Sequence, residues 1–141
     1  MGNVENQSLQ MAWRDEAYLL ARRIDDARTL ALCALDLSRQ RNERGHQALV
    51  LRLLGEIYSH QASAEAGQAE AHYRQALDLA EELGMRPLQA HCHRGLGTLY
   101  ATTGQQEQAR IALSTAVEMY QSMEMTFWLP QTEAALAQVE A

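Results

Sequence analysis

The chain has 141 residues, 47% of them apolar and 21% charged, with 12 basic against 18 acidic side chains for a formal charge of −6. That length suits one domain burying about two-thirds of its unfolded surface, and scattered single arginines on an acidic chain argue against binding a phosphate backbone. No apolar run approaches the ~20 residues that span a bilayer, no charged-then-apolar leader opens the chain, and Cys33 and Cys92 build no disulfide framework, so a reducing cytoplasm is expected.

Residues 1–7 are polar and expected to fray. A helix is expected from about Ser8 to Arg23, with Leu9, Trp13, Ala17, Leu20 and Ile24 on one face at 3.6-residue spacing. Asp25 and Asp26 place negative charge at the start of a second helix, where the macrodipole favours it. That helix runs to about Arg41, with Ala27, Ala31, Ala34, Leu35 and Leu37 inward, and Asn42 to Gly45 makes a turn. A third helix covers about His46 to Gln61 with the stripe Leu51, Leu54, Gly55 and Tyr58. After the looser segment 62–67, a fourth runs from about Gln68 to Leu83 with Ala69, Tyr73, Ala76 and Leu77. Gly84 suits the residue after a helix end, and Pro87 the first turn of the next helix. Two further helices meet at Thr103-Gly104; one carries Leu96, Gly97 and Tyr100, the other Ala109, Leu113 and Ala116. A seventh starts near Phe127-Trp128, tolerates Pro130 in its first turn, and ends with the chain.

These elements repeat. Residues 27–58 laid on 69–100, an offset of 42, match at Ala27/Ala69, Ala34/Ala76, Leu35/Leu77, Asp36/Asp78, Leu37/Leu79, Arg44/Arg86, Gln47/Gln89, Ala48/Ala90, Arg52/Arg94, Leu54/Leu96, Gly55/Gly97 and Tyr58/Tyr100. At an offset of 40, Ala69, Ala76 and Met85 recur as Ala109, Ala116 and Met125. Large residues alternate with very small ones at helical spacing, so one helix can sit close against the next. Leu54-Gly55-x-x-Tyr58 with Ala69, Tyr73 and Ala76, then Leu96-Gly97-x-x-Tyr100 with Ala109, Leu113 and Ala116, resemble the tetratricopeptide (TPR) pattern. The first unit departs from it: Arg14 and Asp15 stand where the pattern has an apolar residue and Gly, as suits a solvent-facing cap.

The resemblance implies an all-α, right-handed superhelix of about three helical hairpins plus a C-terminal helix, seven helices in all, as a single domain over 1–141. Its repeats would fall near 8–42, 45–83 and 87–123, with a terminal helix over 126–141. A narrower resemblance, carried by residues 69–100 and 123–136, is to the C-terminal helical tails of bacterial regulators that join a cyclase or DNA-binding domain to a P-loop ATPase. No GxxxxGK[ST] and no cyclase-like segment is present, so neither activity carries over.

Chemistry is sparse. His91-Cys92-His93 suggests a metal site, but helical residues two apart point about 200° from each other, and no HExxH or paired CxxC completes a zinc sphere. The serines lack a GxSxG elbow, and the carboxylates spread over exposed faces. No enzyme activity, cofactor or metal is expected. The resemblance instead implies a protein-protein interaction scaffold in bacterial signalling or regulation, taking a partner peptide or helix on its concave face. The alternatives are a structural oligomerisation unit and a metal-binding or enzymatic helical domain.

On the third helix the face beside the packing stripe holds Leu49, Arg52, Glu56 and Ser59; on the fifth it holds His91, Arg94, Thr98 and Ala101. Arg52 and Arg94 share a repeat position, so stacking places them side by side as a fork for a carboxylate or phosphate. The plainer reading pairs each Arg with a nearby carboxylate, Glu56 for Arg52. At the C-terminal end Trp128 is a large side chain to leave in water. It marks either an interface, for a homodimer or for docking on the rest of a longer regulator, or a ring folded inward against Tyr120 and Leu129.

Overall fold

The computed structural model describes residues 24–60 and 65–141, and every regular element among them is an α-helix. They are α1 (Ile24–Gln40), α2 (Arg44–Ser59), α3 (Ala66–Leu83), α4 (Arg86–Thr102), α5 (Gln106–Ser122) and α6 (Leu129–Glu140). Six of the seven expected helices are therefore in view, and the one expected over 8–23 lies outside the described residues.

Packing follows the alternation of large and small residues. α3 buries only Ala69, Tyr73, Ala76 and Ala80, a narrow stripe that lets neighbouring backbones approach. α2 buries Ala48, Val50, Leu51, Leu53, Leu54, Gly55, Ile57 and Tyr58, as befits a helix covered on two sides. α2 pairs with α3 and α4 with α5 as antiparallel hairpins, while α1 packs on α2, α3 on α4, and α6 on α5. α2 also touches α4, and α4 touches α6, so alternate helices stand side by side. One aromatic locks the two hairpins together. A Cβ on Gly55 would stand 2.8 Å from the Tyr73 ring root, and one on Gly95 would collide with the far end of the same ring.

The turns share one geometry. At Asn42, Gly84, Gly104 and Glu124 the backbone takes a left-handed conformation, with φ of 55°, 70°, 82° and 57°. In each, the following N–H reaches five residues back, as Glu43 to the Ser38 carbonyl and Met85 to the Ala80 carbonyl, while the left-handed residue bonds three back. This is the Schellman arrangement, which satisfies the last helical carbonyls. Gln105 and Met125 repeat it onto Tyr100 and Tyr120.

Several boundaries shift from expectation. The turn after α1 is complete by Glu43, so Gly45 lies inside α2, which begins at Arg44. Leu37 is only half buried. Thr126 to Trp128 form a turn, and the last helix opens at Leu129 with Pro130 in its first turn. The two-residue excess of the 42-residue offset over the 40-residue one falls in the α2–α3 connection, since the left-handed residues 84, 104 and 124 are evenly spaced.

Candidate functional site

Side-by-side packing of α2 and α4 leaves an open cavity of about 290 Å³ between them, floored by Tyr73 of α3. Six of the residues singled out from sequence line it: Arg52, Glu56 and Ser59 from α2, and His91, Arg94 and Thr98 from α4. The seventh, Leu49, is partly buried and packs against the core instead. Ala101 lines a separate cavity, of about 310 Å³, between α4 and α6.

The two arginines at the shared repeat position meet different surroundings. Arg52 Nη1 donates to Glu56 Oε2 at 3.3 Å, one turn along the same helix. Ser59 Oγ in turn donates to the Glu56 carbonyl at 2.7 Å. Arg94 Nε donates to Tyr120 Oη at 3.2 Å, and its guanidinium carbon lies 4.4 Å from the Trp128 ring centroid. Tyr120 Oη also stands 2.6 Å from His91 Nδ1. Arg94 can only donate, so the Tyr120 hydroxyl accepts from it and passes its own hydrogen to His91 Nδ1, which fixes His91 as the neutral Nε2–H tautomer. Burial, with the nearby Arg52 and Arg94 charges, lowers the His91 pKa to about 4. Burial likewise raises the Tyr73 hydroxyl, the nearby Glu56 charge adding to it.

Trp128 is half buried, seated edge-on to His91 at 5.4 Å and packed with Leu129 on the cluster of Ala90, Ala116 and Tyr120. Phe127, its T-shaped neighbour at 4.9 Å, is the aromatic facing solvent, 73% exposed. The His-Cys-His run is split three ways. His91 lines the α2/α4 cavity, Cys92 is fully buried with its thiol pushed up to about 12 by burial, and His93 lines a groove with Arg74 and Tyr100. His93 is thus half buried at a groove wall. No group of three or more His, Cys, Asp or Glu side chains able to hold a metal occurs among the described residues.

Sequence reasoning missed Tyr120 and Gly95 as parts of the site. Tyr120 is distant in sequence and reads as core. Gly95 sits beside Gly97 of the repeat pattern, which drew attention from it. A second Gly two residues before Gly97, inside a helix, was the available signal.

Residues 60–122 match the model of the tetratricopeptide repeat family. Among solved structures, the crystal structure of BtubC (BKLC) from P. vanneervenii superimposes with a TM-score of 0.84 at 20% identity, over 99% of this chain and 57% of that one. The fold is therefore all-α and TPR-like, and the chain spans little more than half the length of that relative. No curated protein matches. No described helix is long and apolar enough to cross a membrane.

Proposed function

We propose that this chain is a non-catalytic interaction scaffold that receives an extended peptide or a helix of a protein partner in the groove between α2 and α4, the face expected to be concave. The observation that carries the reading is the groove itself. Arg52, Glu56, Arg94 and Thr98 line one open cavity floored by a buried tyrosine, with both polar groups and apolar walls for a ligand. The resemblance to tails of bacterial regulators supports a role in signalling or regulation, with residues 1–141 acting as one domain. The net charge of −6 favours a protein over a nucleic acid as partner. Selection of peptides from a display library, followed by NMR mapping, tests this. Binders should perturb amides of α2 and α4 around Arg52, Glu56 and Arg94; binders that map elsewhere would refute the groove.

A second reading rests on Phe127, left largely in water beside Trp128 at the start of the last helix. It is an interface at this end, for a second copy or for the rest of a longer regulator. Light scattering decides the first case: a dimeric mass that falls to monomer in Phe127→Ser supports it, and a monomer at high concentration refutes it.

A further inference from the structure

Repeat symmetry is broken where α3 and α5 lie against their partner helices. Tyr58 and Tyr100 share a repeat position at the offset of 42. α3 maps on α5 at the offset of 40, since Tyr73 meets Gly55 as Leu113 meets Gly97. On Tyr58 lies the ring of His72, stacked with centroids 5.0 Å apart and planes 21° apart. Its Nδ1 stands 2.7 Å from the Gln68 carbonyl, which can only accept, so Nδ1 carries the hydrogen. The residue equivalent to His72 on α5 is Ala112, which brings no ring to Tyr100. A slot of about 220 Å³ opens there instead. Leu96, Tyr100 and Ala112, all buried, floor it, while Arg74, Gln108 and Ile111 stand exposed at its rim. Ile111 is 54% exposed, much for a large aliphatic side chain.

We infer that this slot receives the neutral imidazole ring of a histidine on a partner protein, seated beside Tyr100 as His72 is seated beside Tyr58. The slot shares no residue with the groove between α2 and α4, so it and the scaffold reading stand or fall separately. Three features favour this occupant. Its volume is below the ~300 Å³ at which pockets for whole small ligands begin, and so fits a single side chain. Gln108 holds the position of Gln68, and its carbonyl is the counterpart of the one that takes the His72 hydrogen. With His93 neutral, Arg74 is the one charged side chain of the lining. It is already bonded to Glu70 Oε2 at 2.9 Å and to the Tyr100 hydroxyl, so the slot offers an ion no unbalanced charge. A neutral ring meets a guanidinium whose plane is fixed. The chain's own five histidines are placed elsewhere. His72 is stacked, His93 lines the slot itself, His46 lies beside Glu43, and His60 and His91 line the groove. A second copy could offer only His60, the exposed one, so a different protein is assigned.

The test uses the whole chain at about pH 9, where imidazoles are neutral. Methyl resonances of Leu96, Ile111 and Ala112 are followed by NMR during titration with 4-methylimidazole, the bare side chain, and with N-acetylhistidine methylamide, the residue. 1-Methylimidazole, which has no N–H, and isobutanol, an aliphatic of similar size, are the controls. Saturable shifts are expected with both histidine probes, and the controls should bind about fivefold more weakly, the worth of one hydrogen bond. Ala112→His supplies the ring from within the chain and should abolish binding while the protein melts no lower than its parent. His72→Ala is the converse: it opens the place beside Tyr58 and should create a second site, read at the Leu35 and Leu54 methyls. That gain of binding decides the matter if Ala112→His does not fold. Isobutanol binding as tightly as 4-methylimidazole, unchanged binding in folded Ala112→His, or no second site in His72→Ala would overturn the inference. Binding of 4-methylimidazole without N-acetylhistidine methylamide would mean a free small molecule rather than a protein side chain. Shifts of Ile111 and Ala112 on concentrating the protein alone, lost in His60→Ala, would mean a second copy. Either result overturns the assignment to a partner protein.

Discussion

At the scale of single residues, Tyr73 shows how small changes are decided. Its ring, 5% exposed, is held between Gly55 on α2 and Gly95 on α4. Replacing Gly95 with Ala improves helix propensity by about 1 kcal/mol, but the new methyl overlaps a ring that Gly55 keeps from backing away. Overpacking of this kind costs about 1–3 kcal/mol, so the net effect of Gly95→Ala in urea unfolding should be a destabilisation of up to about 2 kcal/mol. Tyr73→Leu, which removes the far end of the ring, should recover part of that loss in a double-mutant cycle; simple additivity would refute the contact. His91 sets a second expectation. Its folded pKa, lowered to about 4 by burial, lies below the unfolded value near 6.5. Above pH 6.5 both states hold it neutral and stability does not depend on it. As pH falls from 6.5 towards 4 the unfolded chain takes up a proton that the native state refuses, so stability is lost. About 1–2 kcal/mol is expected once solvent screening of a partly exposed ring is allowed for. Urea midpoints between pH 7 and 4.5 should fall, and His91→Gln should flatten the profile, leaving the smaller slope of His93, whose pKa burial also lowers. A profile as steep in His91→Gln as in the parent would refute the assignment.

At the scale of elements, the helices were legible because their repeat could be counted, and the turns because Gly84 and Gly104 sit where a left-handed residue is needed. Arg52, Glu56, Arg94 and Thr98 were found because repeat position fixes helix face. What a repeat cannot reveal is contact across 26 or more residues, such as Arg94 to Tyr120, or the direction in which the ring of Trp128 leaves an irregular turn. Gly45 was misplaced because glycine marks a turn by habit, whereas here Asn42 supplies the positive φ and the helix restarts before Gly45 is reached. The same turn geometry makes Glu124 anomalous: it holds a φ of 57° with a side chain that disfavours it. The left-handed region costs an ordinary residue about 1–2 kcal/mol, while glycine gives back about 0.5–1 kcal/mol through a freer unfolded chain. Glu124→Gly should therefore stabilise by about 0.5–1 kcal/mol in thermal or urea unfolding. A loss of stability would mean that the Glu124 side chain makes a contact that outweighs its backbone strain.

At the scale of the whole molecule, stability should grade along the stack, because each helix is held only by its neighbours. α2 touches α1, α3 and α4, and α4 touches α2, α3, α5 and α6, so both are covered on several sides. α6 fully buries Thr132 alone and partly buries Leu129, Ala135, Leu136 and Val139. Its first turn is tied down by the Thr132 hydroxyl donating to the Trp128 carbonyl at 2.8 Å and by Trp128 itself against Arg94. Few buried apolar contacts mean a low free energy of local opening, whatever the helix propensity of Ala134, Ala135 and Leu136. Native-state hydrogen exchange should therefore find α6 amides opening at least about 2 kcal/mol below those of α2 and α4. Within α6 the end beside the Trp128 anchor should hold longest: Thr132, whose N–H bonds the Trp128 carbonyl, and Glu133 should be the last to open and Ala137 to Glu140 the first. Protection in α6 equal to that in α4 would mean that the helix is held by something beyond these contacts, and a second copy of the chain at Phe127 would then be the first interaction to measure.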